Sequence, residues 1–135
     1  AAGMLRHAAG RGVYETLYKA EAEAFLAEWS GAGRPPFDVV VAGDLLPYLG
    51  DLAPLFGRIA SCLGPGGHFL FSTERGEDTG PAYAVGPHAR YAHGAPYLRR
   101  TLAAAGLAVV LLEDFEIRRQ AGAPVPGQIG IARRW

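Results

Sequence analysis

The chain has 135 residues, half of them hydrophobic, and its 13 basic and 13 acidic residues give a formal net charge of zero. This length and composition predict one compact domain. A neutral chain has no electrostatic footprint for nucleic acid or an anionic membrane, so neither is expected as a partner. No apolar run is long enough to span a bilayer, and no signal peptide opens the chain. The single cysteine, Cys62, cannot form an internal disulfide, which favours a cytoplasmic location.

Residues 1–36 are predicted to hold two helices with a strand between them. Apolar residues recur at helical spacing over residues 1–10, and the glycines that follow end that helix. Residues 13–20 alternate weakly between apolar and polar and are predicted to form a strand, with Glu21 at its carboxyl end. Residues 22–29 form the second predicted helix, and a pair of prolines closes the loop after it.

Residues 37–74 read as a strand, helix, turn and strand. Residues 37–42 are a nearly continuous apolar run rich in β-branched side chains, which is typical of a strand buried in a parallel sheet. Leucine, phenylalanine and isoleucine recur at three- and four-residue spacing over residues 51–63, which predicts a crossover helix. Residues 68–72 form a second apolar strand, and a right-handed crossover would place it parallel to the first and next to it.

Three residues directly after the first of these strands are candidates for a ligand site. In open α/β sheets, ligands bind beyond the carboxyl ends of the strands. Gly43 lets a ligand approach the backbone, Asp44 offers a carboxylate, and Leu45 offers an apolar wall. The alternative interpretation is that Asp44 only caps a short turn before Pro47.

The remaining residues predict a loop, a helix and a hairpin. Residues 75–96 are rich in glycine, proline and charge without a clear period, which indicates a surface loop over the site. Residues 95–105 are predicted to form a helix. Residues 107–112 form an apolar strand that continues as an alternating pattern to residue 119, and residues 128–133 form the returning antiparallel strand.

Several of these segments together resemble a known family. Residues 37–44, and the helix and Gly-Pro-Gly-Gly turn that follow them, look like the fourth and fifth strands of a class I S-adenosylmethionine-dependent methyltransferase. The resemblance is closest to the predicted methyltransferases that are often joined to tetratricopeptide repeats. The segments that are similar to the family's last helix and sixth strand are Arg90–His93, Tyr97–Arg100 and Ala104–Leu107. Those that are similar to its closing hairpin are Ala123–Gly127 and Ile129–Arg134.

The resemblance implies a single partial domain with a Rossmann-like α/β fold, mostly parallel with a terminal antiparallel hairpin. The family's glycine-rich loop and first two strands have no counterpart in this chain. Residues 1–36 would be a cofactor-side remnant, residues 37–74 the central unit, residues 75–96 the loop over the site, and residues 97–135 the last helix and hairpin. The family's first two strands lie beside its fourth, so we expect residues 37–42 to have an unpaired edge, which would dock on the missing amino-terminal segment or self-associate.

The resemblance also names a cofactor, S-adenosylmethionine, and the residues that would contact it. Met4 is similar in position to the side chain that packs on the adenine ring, although it also fits a core methionine. Glu21 matches an acid that accepts the adenine amino group. The full set of cofactor candidates is Met4, Glu21, Ala22, Gly43, Asp44 and Leu45.

Three side chains are candidates for the acceptor side of the site: His93, Tyr91 and Tyr48. His93 could act as a general base, because imidazole titrates near neutrality. The alternative is that it caps the helix that begins near Ala95. The histidines and the cysteine lack any metal-ligand spacing, so no metal is expected.

The leading hypothesis is a truncated methyltransferase domain that acts on an unknown acceptor, and this chain alone is expected to be inactive. The rival hypothesis, from a different class, is a catalytically inactive α/β module used for association. A dehydrogenase fragment is a third alternative, but the closing antiparallel hairpin argues against it because dinucleotide-binding sheets are typically parallel.

Overall fold

The computed structural model describes all residues from Ala1 to Trp135. Four helices, six strands and one short 3-10 turn make up the fold. In chain order they are α1 (Ala2–Arg11), α2 (Ala22–Gly31), β1 (Phe37–Ala42), the 3-10 turn (Leu46–Tyr48), α3 (Ala53–Cys62), β2 (Leu63–Arg75), β3 (Tyr83–Val85), β4 (Tyr91–His93), α4 (Ala95–Ala104), β5 (Leu107–Gln120) and β6 (Ala123–Arg134). No helix combines the length and the apolarity that crossing a membrane would require.

The six strands form one mixed α/β sheet that is largely antiparallel. β1 runs parallel to β2, as predicted, and β2 pairs with β6 in the antiparallel sense. β6 pairs along its length with β5, so the predicted closing hairpin is confirmed. The expectation of a mostly parallel sheet is wrong. The hairpin strands are long, and the only parallel pairs are β1 with β2 and the short β4 with the end of β2.

The strand predicted for residues 13–20 is absent. Residues 12–21 contain no helix or strand, and Val13 and Tyr14 are exposed. A strand is stabilised by its neighbours, and the weak alternation of this segment meets no neighbouring strand with which to pair. β1 therefore pairs with β2 only, and its other edge is free.

Residues 75–96 are more ordered than their composition indicated. β3 and β4 form a small antiparallel hairpin, and β4 continues the sheet beside the carboxyl end of β2. Gly76 permits this contact, because a Cβ at that position would lie 2.7 Å from the backbone carbon of His93. Part of the segment predicted as a loop therefore belongs to the sheet.

The core lies between the sheet and the helices α2, α3 and α4. Phe56 of α3 packs against Phe69 and Phe71 of β2, with ring centroids 5.6 and 6.0 Å apart. Cys62 is buried, and its thiol donates a hydrogen bond to the Leu26 carbonyl at 3.2 Å, so it serves as a small core residue. The other fully buried apolar residues include Leu46, Leu52, Leu55, Ile59, Leu63, Leu98, Leu102 and Leu107.

Two features of β6 follow from its neighbours. Gly130 faces the ring of Phe71, which occupies the space that any larger side chain would need. Pro124 and Pro126 lie beyond the stretch of β6 that pairs with β2. A missing proline N–H is tolerated in this part of β6, because β5 is its only neighbouring strand there.

Candidate functional site

The turn after β1 leaves the backbone open at the carboxyl end of the strand. A Cβ at Gly43 would meet no atom within 4 Å. Asp44 has a left-handed φ of 53°, a conformation that aspartate tolerates better than most residues. Its N–H donates to the Ser72 hydroxyl of β2 at 3.4 Å, so the turn links the ends of the two parallel strands.

An apolar groove runs along the free edge of β1 and ends at this turn. It has a volume of about 280 Å³. Val39 and Val41 on β1 are 51% and 67% exposed. The groove brings together two of the predicted cofactor residues, Ala22 from α2 and Leu45 from the turn. Its other lining residues are Phe25, Leu26, Phe37, Val39, Val40, Val41, Ala42, Leu55 and Ile59.

The carboxylate of Asp44 lies between two arginines. Its Oδ1 is 3.2 Å from a terminal nitrogen of Arg90 and 3.6 Å from one of Arg118. Arg118 also pairs with Glu74 at the end of β2, and the guanidinium of Arg90 lies over the ring of Tyr48 at 5.0 Å. The alternative that Asp44 caps the turn before Pro47 is wrong, because the 3-10 turn has no side-chain cap.

Met4 and Glu21 belong neither to the lining of the groove nor to the ion pairs of Asp44. Met4 is 75% exposed on α1, a helix without a buried residue, so its interpretation as a core methionine is wrong. The Glu21 carboxylate caps α2 by accepting from the N–H groups of Ala24 at 2.9 Å and Glu23 at 3.2 Å. These backbone hydrogen bonds, led by that from Ala24, lower the pKa of Glu21.

His93 is fully buried, and both of its ring nitrogens are hydrogen-bonded. Nδ1 lies 2.8 Å from the Thr73 hydroxyl, and Nε2 lies 3.0 Å from the Gly50 carbonyl. A carbonyl can only accept, so Nε2 carries the proton and, in the neutral ring, Nδ1 accepts from Thr73. Burial lowers the pKa of His93, which favours this neutral form.

The alternative role of His93 as a helix cap is also wrong. Gly94 occupies the N-cap of α4, and the Asp78 carboxylate accepts from the Ala95 N–H at 3.2 Å. The His93 backbone carbonyl instead accepts from Gln128 Nε2 at 2.9 Å, which leaves Gln128 Oε1 buried without a partner.

Two tyrosines, Tyr83 and Tyr97, pack against His93, and a third tyrosine packs against Tyr83. Tyr91 packs on Tyr83, whose ring centroid is 6.1 Å from that of His93. Tyr97 stacks on His93, and its hydroxyl donates to Asp51 at 2.8 Å while it accepts from the Leu52 N–H at 2.7 Å. Burial raises the pKa of Tyr97. The roles of Thr73, Gln128 and Tyr97 could not be predicted from the sequence, because nothing in their local pattern marks the partners they reach.

Comparisons with known proteins identify the fold. No family model and no curated protein sequence matches the chain. Among solved structures, it is similar to an S-adenosylmethionine-dependent methyltransferase from Methanosarcina mazei, with a TM-score of 0.57 and 17% identity over 73% of this chain and 59% of that one. It is similar to the N-methyltransferase NodS of Bradyrhizobium japonicum, with a TM-score of 0.51 and 22% identity over 74% and 47%. Similarity to the cyclase SpnF covers 98% of this chain and 61% of that one, with a TM-score of 0.71 and 17% identity.

The chain therefore has the α/β fold of the class I S-adenosylmethionine-dependent methyltransferases. It spans about three fifths of the length of the methanosarcinal protein, 59%. At these identities the likeness concerns the fold, and one protein that shares it is named a cyclase. A fold can carry more than one chemistry, so the reaction has to be argued from the site.

Proposed function

We propose that this chain is the carboxy-terminal part of an S-adenosylmethionine-dependent methyltransferase domain that transfers a methyl group to an acceptor not yet known. One observation carries the proposal. The open turn at Gly43–Leu45 lies at the carboxyl ends of a parallel strand pair and adjoins an apolar groove, which is where α/β sheets bind their ligands. The methyltransferase fold supports the same choice of cofactor.

The residues at this edge fit part of the cofactor. Ala22 and Leu45 line the groove and present apolar surface that suits an adenine ring, while the backbone at Gly43 is open at the strand end. Glu21 precedes Ala22, but its carboxylate is engaged as the α2 cap, so cofactor contact would compete with that cap. Met4 does not line the groove, although Leu5 of the same helix borders the same surface pocket as Ala22 and Phe25. S-adenosylmethionine, when bound, supplies a methyl group carried on a positively charged sulfur.

The acceptor side of the proposed site contains Tyr48. This ring is 55% exposed next to the turn after β1. Tyr91 is half-buried on β4 and is the second candidate. His93 is dropped as a general base, because a buried imidazole with both nitrogens hydrogen-bonded has no access to an acceptor. In the proposal it positions the Gly50 backbone, which holds the segment after Tyr48. Methyl transfer depends mainly on alignment of the two reactants, so such positioning matters.

Calorimetric titration with S-adenosylmethionine tests the proposal, using two glycine variants as a matched pair. A Cβ at Gly43 or at Gly57 of α3 meets no atom within 4 Å, so both Gly43→Leu and Gly57→Leu should fold. We expect saturable heat for the wild type, binding at least about tenfold weaker for Gly43→Leu, and unchanged binding for Gly57→Leu. Absence of heat at millimolar ligand would refute cofactor binding by this chain alone.

A second candidate function, as an association module, is favoured by the free edge of β1. An unpaired strand edge with exposed Val39 and Val41 invites another extended segment. The chain spans 59–62% of the methyltransferases from Methanosarcina mazei and Mesorhizobium loti. We therefore propose that the occupant is an extended segment from the part of a methyltransferase domain for which this chain has no counterpart.

Sedimentation and hydrophobic-dye binding test this second proposal. The account expects a monomer whose groove binds the dye. Val41→Lys should reduce dye binding, whereas Val110→Lys on β5, a valine that is 59% exposed on the opposite edge strand, should not. A stable dimer that Val41→Lys dissociates would place a second copy on β1 and overturn the proposed occupant.

A further inference from the structure

Two arginines from distant parts of the chain converge on one carboxylate oxygen. Arg90 directly precedes β4 and Arg118 lies on β5. Both guanidinium groups approach Oδ1 of Asp44, at 3.2 and 3.6 Å. The three side chains meet beside the turn after β1, where the proposed function places the acceptor.

Asp44 is much more exposed to solvent than the two arginines with which it pairs. The Asp44 side chain is 64% exposed, whereas those of Arg90 and Arg118 are only 24% and 23% exposed. An exposed carboxylate gains little from such pairs because water competes for it. The Arg90 side chain makes a single hydrogen bond, to Asp44, so most of its N–H donors remain available.

The surroundings hold the arginines in place without Asp44. Glu74, whose side chain is only 14% exposed, pairs with Arg118. The Arg90 guanidinium lies over the half-exposed ring of Tyr48, and such stacking orients a planar cation. Asp44 is the only acidic partner of Arg90. Replacement of Asp44 by another anion would therefore keep both arginines positioned.

We propose that the acceptor carries a carboxylate group, which displaces the Asp44 carboxylate from Arg90 and Arg118 and rests its apolar body on Tyr48. The group that now lies between the arginines is itself a carboxylate, and arginine N–H donors match carboxylate oxygens in pairs. Asp44 then acts as an internal occupant that keeps the arginines neutralised until the acceptor arrives. Calling this ligand the acceptor rests on the proposed methyltransferase function, whereas the anion site does not.

An NMR titration with benzoate, and with neutral benzamide as the matched probe, tests the site. We expect benzoate to shift the Arg90 side-chain and Tyr48 resonances saturably, with a Kd on the order of millimolar, and benzamide to leave them unchanged. Arg90→Gln should weaken benzoate binding at least about tenfold. The control Arg99→Gln, at an exposed position on α4, should leave it unchanged.

Asp44→Asn tests whether benzoate displaces the Asp44 carboxylate from the arginines or only binds near it. Asparagine tolerates the left-handed backbone at this position, so the variant should fold and bind benzoate at least about threefold more tightly, because the internal competitor is gone. Equal shifts by benzoate and benzamide, or weaker benzoate binding by Asp44→Asn, would overturn the proposal. Benzoate binding without any S-adenosylmethionine binding would uphold the anion site and reject the methyltransferase function. S-adenosylmethionine binding without benzoate binding would reject the anion site alone.

Discussion

Lowering the pH from 7.5 to 5.5 should destabilise the protein through His93. Burial lowers the pKa of the folded imidazole below its ordinary value of 6.5, and its neighbours are a hydroxyl, a carbonyl and tyrosine rings with no carboxylate bonded to it. Between the folded pKa and pH 6.5, the unfolded chain therefore binds more protons than the folded chain, by at most one. The contribution of the neutral ring is complete above that pH and is lost as the pH falls.

The size of this effect follows from a single proton. While the folded imidazole stays neutral, the free energy of unfolding decreases by up to about 1.4 kcal/mol between pH 7.5 and 5.5. At pH 7.5, His93→Gln should cost about 1–3 kcal/mol, because the variant leaves a buried hydrogen-bonding group of Thr73 or Gly50 without a partner. The difference in free energy of unfolding between wild type and variant should be smaller at pH 5.5, because the wild type loses stability through His93 and the variant has no imidazole at this position.

Urea unfolding followed by circular dichroism at pH 7.5, 6.5 and 5.5 measures both quantities. The other three histidines are common to both proteins, so the difference between wild type and His93→Gln isolates His93. The control His88→Gln, at an exposed position, should follow the wild-type pH dependence. If the free energies of wild type and His93→Gln change in parallel with pH, the reasoning about the buried imidazole is refuted.

Two further substitutions test the packing around the site. Gly130→Ala should lower the free energy of unfolding by about 1–3 kcal/mol, because its Cβ would overlap an adjacent phenylalanine ring. The control Gly10→Ala, with open space in α1, should be neutral or stabilising in the same thermal unfolding experiment. Equal unfolding midpoints for the two variants would contradict the predicted overlap. Tyr97→Phe removes the acceptor for the Leu52 N–H and should lower the free energy of unfolding by about 1–3 kcal/mol. Hydrogen exchange at the Leu52 amide should become faster. Unchanged protection of that amide would show that the hydrogen bond is unimportant.

The elements that rest on local patterns could be predicted from the sequence. β1 has the predicted bounds, and α4 ends one residue before its predicted end. The apolar spacing of α3 predicted both its existence and its buried face, because the pattern that forms a helix also selects the side packed on the sheet. Adjacency of β1 and β2 followed from the right-handed crossover.

Features that depend on distant partners could not be predicted. The strand expected at residues 13–20 required a neighbour that no local pattern reveals. The direction of most of the sheet is set by the long β5–β6 hairpin, whose strands extend beyond their apolar portions into charged and proline-containing residues. The pairing of Asp44 with Arg118 and of His93 with Gly50 joins segments that are far apart in sequence. Residue type alone therefore made His93 resemble a general base.

The central claim is that the turn after β1 binds the methyltransferase cofactor. The most direct test is an NMR titration of the isotope-labelled chain with S-adenosylhomocysteine, read at the backbone amides. The account predicts saturable shifts at Gly43, Asp44 and Leu45 and at Ala22 across the groove, with α4 unaffected. Shifts that avoid the β1 turn, or none at millimolar ligand, would contradict it.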